Sequence, residues 1–183
     1  QAGLGLLMNI PGDAKPAAFV EDTAVSPEKL PEYVKRFDEI VRSNNTEAGY
    51  YGHASVGCLH IRPVVNLKGK EGIKTMEKIS AEVSDLVLEF GGSLSGEHGD
   101  GIVRGAWAEK MFGADLVNHF REVKSTFDPK GIMNPKKIFD TTPLTENLRY
   151  GDDYKTIDIS TKYDWSKEGG FSSAIENCTG VGA

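Results

Sequence analysis

Apolar residues recur at helical spacing in three parts of the chain. The first stretch, 30–41, follows Ser26 and Pro27, and a serine N-cap with proline at the first helical position is typical of a helix N-terminus. The second stretch covers 73–90 and the third covers 114–126. Because residues three and four apart share one face of a helix, the pattern predicts three amphipathic helices.

Shorter apolar runs predict strands at 17–25, 48–54 and 58–66. The last two flank a turn that contains Gly57, which favours a hairpin or a sharp reversal of the chain. An apolar run at 4–10 indicates the end of a further helix or strand. We expect the long second helix to cover a sheet built from these strands.

Glu21 and Asp22 interrupt the first predicted strand with two adjacent carboxylates. Neighbouring side chains in a strand point to opposite faces. We therefore expect the strand to emerge from the sheet at this point, with one carboxylate facing inward as the alternative. After Phe139 the periodicity fades, and residues 140–177 are predicted to form an extended tail or linker.

Length, charge and cysteine content limit the number of domains, the partners and the compartment that we expect. With 183 residues, 39% of them hydrophobic, the chain can form one domain, or one domain with a tail. The net charge of −6 argues against a nucleic-acid partner, because phosphate binding needs a basic surface. No apolar run approaches the roughly 20 residues of a membrane helix, and the start lacks the basic segment of a signal peptide. Two cysteines, Cys58 and Cys178, favour a reducing compartment.

The segment 95–101 (SGEHGDG) is the strongest candidate for chemistry, because it sets ionisable side chains among three glycines. Glycine lets the backbone turn tightly and lets a ligand approach closely. A carboxylate beside an imidazole, as in Glu97 and His98, either binds a metal or moves a proton. The alternative is a polar loop without chemistry.

His53 and His60 flank the predicted turn, and across a reversal of the chain the two imidazoles can converge. Two imidazoles and one carboxylate form a common ligand set for zinc or another divalent metal, which suggests His53, His60 and Glu97 as ligands. His98 is then available as a general base. The alternative is that each histidine is a hydrogen-bonded structural residue.

Arg62 and Arg104 are candidates for binding substrate carboxylates through a bidentate guanidinium fork, with a surface salt bridge as the alternative for each. The chain has no GxGxxG segment after a strand and no P-loop, so it has no nucleotide-binding fingerprint of its own. A redox cofactor, if used, is expected to be bound elsewhere.

Four segments in order resemble the C-terminal domain of the FAD-linked oxidase and dehydrogenase family, which includes D-lactate, glycolate and D-2-hydroxyglutarate dehydrogenases. They are 19–25 (FVEDTAV), 52–60 (GHASVGCLH), 95–101 (SGEHGDG) and 127–135 (FDPKGIMNP). The resemblance implies an α+β fold, a ferredoxin-like cap domain with an antiparallel sheet and helices packed on one face.

The resemblance also implies roles for single residues. In metal-dependent members of the family, the residues that match His53, His60 and Glu97 are ligands, and the residue that matches His98 is the base. The asparagine that approaches the flavin matches Asn134. Cys58 stands where some members have a substrate-binding asparagine, so the resemblance leaves the substrate open.

The middle of the segment 52–60 (GHASVGCLH) looks most like the branch of the family that is fused to an iron–sulfur region. Cys178 resembles the first cysteine of a cluster motif, so the resemblance implies a [4Fe–4S] centre in a full-length chain. The implied domains are a cap domain at 1–139, truncated at its N-terminus, and a linker at 140–183 that leads to the iron–sulfur region. FAD is expected to be bound mainly by a missing N-terminal domain.

The sequence thus predicts part of an FAD-dependent enzyme that oxidises a D-2-hydroxy acid, inactive as an isolated fragment. Its expected partners are the small acid and the flavin and iron–sulfur regions of its own full-length chain. Two alternatives are a metal-free member of the family and a non-catalytic docking domain between the flavin and iron–sulfur modules. The expected location is the cytoplasm, either free or at the membrane periphery through an electron acceptor.

Overall fold

A computed structural model describes residues 10–177 and contains a small antiparallel sheet. Its strands are β1 (Lys15–Pro16), β2 (Thr23–Ala24), β3 (Ala48–His53) and β4 (Cys58–Val65). β4 is the common partner of the other three strands. Since Leu59 pairs with both Thr23 of β2 and Gly52 of β3, these two strands lie on opposite edges of β4.

Five helices accompany the sheet in the described part of the chain. They are α1 (Leu30–Ser43), α2 (Lys70–Glu89), α3 (Ala108–Phe112), α4 (Ala114–Phe127) and α5 (Phe171–Glu176). The positions of α1, α2 and α4 confirm the helices predicted from apolar periodicity. The short helices α3 and α5 were not predicted.

The core lies between the sheet and the two long helices. Buried apolar side chains recur every fourth residue on both helices and on one face of β4, namely Tyr33, Phe37 and Val41 from α1, Ile79, Val83 and Val87 from α2, and Ile61 and Val65 from β4. Burying a side chain of this size stabilises the fold by about 1.5–3 kcal/mol. The α+β fold with an antiparallel sheet is therefore confirmed, and β4 is held in place by packing as well as by strand pairing.

The expected strand at 17–25 is wrong over most of its length, because only Thr23 and Ala24 pair as strand β2. The backbone of Asp22 has φ of +78°, a left-handed conformation that ends regular strand geometry. Both Glu21 and Asp22 are buried, so the expectation that the chain emerges from the sheet here is also wrong.

Residues 140–177 contact the rest of the fold at both ends of this stretch. Leu144 is buried in the core, and Glu176 of α5 forms an ion pair with Lys68. Residues 4–9 of the first apolar run and Cys178 lie outside the described residues. Within 10–177, no helix has the length and apolar character needed to cross a bilayer.

Candidate active site

The β3–β4 hairpin brings the first two candidate residues together. His53 ends β3 opposite Cys58, and His60 lies opposite Tyr51. Gly57 turns the chain with φ of +74° in a place where a Cβ would lie 1.7 Å from the Val25 carbonyl oxygen. The ring centroids of the two histidines are 5.3 Å apart, so the imidazoles converge as the sequence predicted.

The 95–101 loop brings Glu97 and His98 to the same place. The Glu97 Oε1 atom lies 3.1 Å from His60 Nε2, 3.5 Å from His53 Nε2 and 3.1 Å from His98 Nε2. The His98 ring stacks on the His60 ring with 5.0 Å between centroids and 12° between planes. Three imidazoles therefore surround one carboxylate oxygen.

Burial differs among these four residues. His60 is buried, whereas the side chains of Glu97 and His98 are each 45% exposed and that of His53 is also exposed. The cluster therefore has a closed side at His60 and an open side from which a small molecule can approach. A site of this form can bind a cation and leave coordination positions for a ligand.

Hydrogen bonds to the Asp22 carboxylate hold the 95–101 loop. The Asp22 carboxylate accepts hydrogen bonds from the backbone N–H groups of His98 at 2.8 Å and Glu97 at 3.1 Å, and from the Ser95 hydroxyl at 2.9 Å. Burial raises the pKa of Asp22, but these hydrogen bonds outweigh it and hold the pKa below its ordinary value. The carboxylate is therefore ionised at neutral pH.

Cys58 points toward Asp22 in the interior. Its thiol donates to Asp22 Oδ1 at 3.3 Å, and the residue is buried. Burial, with a further contribution from Asp22, raises the pKa of the thiol to about 12. The side chain thus supports the site from behind and remains a neutral thiol.

Glu21 connects the two candidate arginines to His98. Glu21 Oε1 lies 3.5 Å from His98 Nδ1, and Glu21 Oε2 forms an ion pair with Arg62 Nε. Arg104 donates to the carbonyl oxygen of Glu21 and, at 2.6 Å, to that of Gly99. Both arginines therefore lie beside the cluster and are engaged by protein groups, and a direct contact with substrate stays a prediction for each.

Asn134 lies apart from these contacts, in the loop after α4, with φ of +44°. The loop is held by Asp128, which accepts hydrogen bonds from the backbone N–H groups of Ile132 and Met133. Within the described residues, no contact joins Asn134 to the histidine cluster in the way that Glu97 is joined to it. Its proposed approach to a flavin is not tested by these contacts.

Sequence reasoning missed the supporting role of Glu21 and Asp22. The available signal was the presence of two carboxylates within the apolar run 19–25. Charged groups in such a position are costly to bury unless they are paired. Two adjacent carboxylates between apolar residues were therefore better interpreted as buried groups with partners than as the end of a strand.

The residue types at the cluster suit a divalent first-row cation. Among the described residues, donor atoms that all lie within 4.8 Å of one another form two groups, Asp22, Cys58, His60 and Glu97, and Glu21, His60 and His98, so a shared ion that also includes His53 stays a prediction. Around a tetrahedral zinc with bonds of about 2.1 Å, neighbouring donor atoms lie about 3.4 Å apart. The nitrogen–oxygen separations at Glu97 Oε1 range from 3.1 to 3.5 Å. Imidazole and carboxylate ligands with one open side also suit manganese or iron.

Similarity to known proteins extends over most of the chain. A sequence model described as "FAD linked oxidases, C-terminal domain" matches residues 2–138. The chain is 45% identical over 141 residues, or 77% of its length, to a D-2-hydroxyglutarate dehydrogenase of Haemophilus influenzae. It is 35% identical over 168 residues, or 88% of its length, to a D-2-hydroxyglutarate dehydrogenase of Escherichia coli.

A D-lactate dehydrogenase of Archaeoglobus fulgidus is 35% identical over 127 residues, or 69% of this chain. These relatives are much longer proteins. The match spans 13% of the Haemophilus enzyme, 16% of the Escherichia enzyme and 28% of the Archaeoglobus enzyme. The chain therefore corresponds to a small part of each relative.

Proposed function

Because the chain belongs to the FAD-linked oxidase family and matches its C-terminal domain over residues 2–138, we propose that it supplies the substrate and metal site of a flavoenzyme. The enzyme oxidises a D-2-hydroxy acid to the 2-oxo acid. Relatives named D-2-hydroxyglutarate and D-lactate dehydrogenase support this substrate class. FAD is bound mainly by a domain outside this chain.

His53, His60 and Glu97 bind the cation in this proposal. Their nitrogen and oxygen atoms converge from the hairpin and the loop, and the Nε2 atoms of His53 and His60 lie 3.5 and 3.1 Å from Glu97 Oε1. A bound cation supplies Lewis-acid polarisation of the substrate hydroxyl and carboxylate, and FAD supplies the hydride acceptor. The convergence on Glu97 Oε1 is the observation that carries the proposal.

His98 serves as the general base. Its side chain is 45% exposed and stacks on His60, so the imidazole borders the open side of the cluster and would be accessible to a substrate there. His98 would accept the proton of the C2 hydroxyl, and FAD held by a domain outside this chain would supply the acceptor for the C2 hydride. The hydroxyl oxygen would become the carbonyl oxygen of the 2-oxo acid. The acid loses one proton and one hydride in this oxidation, and an acceptor is assigned to each.

Arg62 and Arg104 are proposed to bind the carboxylates of the acid by exchanging protein partners for substrate oxygens. Asn134 is proposed to contact the flavin. Cys178 is proposed as the first ligand of a [4Fe–4S] cluster in a full-length chain, with 140–183 as the connecting segment. The first cysteine of a cluster needs partners beyond it, so the cluster itself belongs to the longer protein.

Metal removal tests the proposed function in the full-length protein. After treatment with a chelator, oxidation of D-2-hydroxyglutarate and D-lactate is measured with an artificial electron acceptor, before and after zinc or manganese is restored. We expect activity to be lost and then recovered, because the cation holds the hydroxyl near His98.

Glu97→Gln is the matching variant, because it removes the charged ligand and keeps the side-chain shape. It should bind the metal at least tenfold more weakly than the unmodified enzyme. Full turnover by verified metal-free protein would favour the metal-free interpretation. Unchanged turnover of His98→Ala would favour a docking role.

A further inference from the structure

The Asp22 carboxylate has more hydrogen-bond partners than any other side chain at the site. It is fully buried, with 0% of its surface exposed. Its oxygens accept from two consecutive backbone N–H groups, those of Glu97 and His98, and from the Ser95 hydroxyl. Two successive amides directed at one carboxylate fix the orientation of the peptide between them, because rotating it would break both hydrogen bonds.

Asp22 is also fixed from the side of the sheet. Its backbone N–H donates to the Leu59 carbonyl at 2.9 Å, and its own carbonyl accepts from the Gly96 N–H at 2.7 Å. The Cys58 thiol donates to the carboxylate from β4. Asp22 thus joins the strand that carries His60 to the loop that carries Glu97 and His98.

The backbone conformation of Asp22 is part of this arrangement. Its φ of +78° is uncommon for a residue other than glycine, although aspartate tolerates this region better than most residues. Such conformations persist where the surrounding contacts determine them, and they are concentrated at functional sites. Here the left-handed turn directs the carboxylate beneath the 95–98 segment.

Other contacts hold the residues on either side of Glu97 and His98. The Ser93 hydroxyl donates to the Ser95 carbonyl at 2.8 Å, and Arg104 donates to the Gly99 carbonyl at 2.6 Å. Gly99 and Gly101 have φ of +77° and +61°, and a Cβ at either position would meet nothing within 4 Å. The described backbone hydrogen bonds of 95–98 include one from Gly96 to the Asp22 carbonyl. The backbone N–H groups of Glu97 and His98 themselves both donate to Asp22.

We propose that Asp22 is a positioning residue that holds Glu97 and His98 against the histidines of the hairpin. The inference rests on the proposed function, since it assigns Asp22 to the same metal and base. It also accounts for Cys58, whose thiol donates to Asp22 from within the interior. Asp22 acts through the backbone of the loop and does not need to touch substrate.

The test uses Asp22→Asn in the full-length protein. The amide keeps the shape of the side chain but replaces one acceptor oxygen with a donor that faces other donors. Asp128→Asn is the matched control, because Asp128 is also buried and accepts from two consecutive amides, those of Ile132 and Met133, in a different loop. The measurements are amide hydrogen exchange, affinity for zinc or manganese, and melting temperature.

Asp22→Asn should accelerate exchange in 95–98 and weaken metal affinity by about 10–100-fold, the usual effect of removing a group that orients metal ligands. Asp128→Asn should accelerate exchange in 131–134 and leave metal affinity unchanged at a comparable loss of melting temperature. Ser95→Ala removes one donor and keeps the carboxylate, so it should give a smaller effect in the same segment if Asp22→Asn does not fold.

Unchanged exchange in 95–98 for Asp22→Asn would overturn the inference, and so would faster exchange with unaltered metal affinity. If the unmodified protein binds no metal, the metal part of the proposed function fails. The exchange data then still decide whether Asp22 holds the loop, so the two failures are distinguishable.

Discussion

The His98 imidazole has a carboxylate beside each ring nitrogen. Nε2 lies 3.1 Å from Glu97 Oε1, and Nδ1 lies 3.5 Å from Glu21 Oε1. Glu21 is itself paired with Arg62, which limits the negative charge near the ring. A histidine with one nitrogen oriented by a carboxylate is well arranged to accept a proton through the other when substrate displaces Glu97 from it.

His98→Gln is expected to lower kcat by about 10²–10⁴-fold, because it removes the proton acceptor and keeps a polar side chain. Steady-state oxidation of the preferred 2-hydroxy acid by the full-length enzyme measures this effect. His119→Gln is the matched control, since His119 is an exposed histidine of α4 that pairs with Glu122 and lies outside the cluster. Equal turnover of the two variants would remove His98 from the mechanism.

The sequence predicted which residues meet at the site, but it did not predict what supports them. His53, His60, Glu97 and His98 were recognisable because their residue types and the glycines around them are typical of metal and acid–base chemistry. Asp22 was not recognisable in this way, since its role depends on a left-handed backbone that brings its carboxylate beneath a loop 75 residues away.

Among the helices and strands, the β3–β4 hairpin has the strictest requirement for one residue type, the glycine in its turn. Gly57 adopts a left-handed conformation and packs directly on the backbone of Val25, where a Cβ would overlap the carbonyl oxygen. Its N–H donates to the Ala54 carbonyl, and its carbonyl accepts from the Val25 N–H. The turn therefore connects the hairpin to the chain segment that precedes α1.

Gly57→Ala is expected to lower the free energy of unfolding by about 3 kcal/mol or more, because it combines backbone strain with a steric clash. It should also weaken metal binding, since His53 and His60 lie on either side of the turn. Chemical denaturation and a metal titration measure the two effects. Gly69→Ala is the control, because Gly69 has φ of −135° and open space around its Cβ position, and it should change stability by less than about 1 kcal/mol.

The regular elements were predicted where one periodicity continues over several turns or alternations. α1, α2, α4 and β4 meet this condition, whereas β3 (AGYYGH) has no alternation and was predicted from its position before the Gly57 turn. The segment 17–25 does not meet the condition, because strand pairing stops where Asp22 leaves the extended conformation. The helices α3 and α5 are five and six residues long, which is too short for a periodic pattern to identify.

At the scale of the whole molecule, the segment after Phe139 returns to the sheet. Lys68 follows β4 and forms ion pairs with Asp13 at 2.7 Å and Glu176 of α5 at 2.6 Å. Tyr154 donates its hydroxyl hydrogen to Glu176, at 2.8 Å. The side chains of Lys68 and Glu176 are only 14% and 11% exposed, so their ion pair is shielded from water, whereas that of Asp13 is 56% exposed. Together these contacts join the beginning, middle and end of the described chain.

Lys68→Met is expected to release α5 from the sheet. Hydrogen bonds to charged groups are each worth about 1.5–3 kcal/mol, so amide exchange in 171–176 should become roughly tenfold to hundredfold faster. Lys70→Met is the control, because the Lys70–Asp152 pair is at 3.3 Å with a lysine side chain that is 75% exposed, and such pairs contribute about 0–1 kcal/mol. Similar exchange rates in the two variants would contradict a specific role for Lys68.

Acid should have the same effect as Lys68→Met. Burial raises the pKa of Glu176, but hydrogen bonds from Lys68 and Tyr154 outweigh it, and the pKa lies below its ordinary value of 4.5. The stability from this carboxylate is therefore present above about pH 4.5 and is lost as the pH falls through the lowered pKa. Exchange in 171–176 measured across this range is the check.

The shared use of β4 has a consequence for how such a domain can change during evolution. Side chains alternate along a strand with a period of two, so a slip of β3 by two residues along β4 would keep every side chain on its present face. The slip would nevertheless bring Arg62 opposite Tyr51 in place of His60. A change in the hairpin register would therefore move His53 away from His60 and Glu97, while His60 and the buried side chains of β4 kept their places.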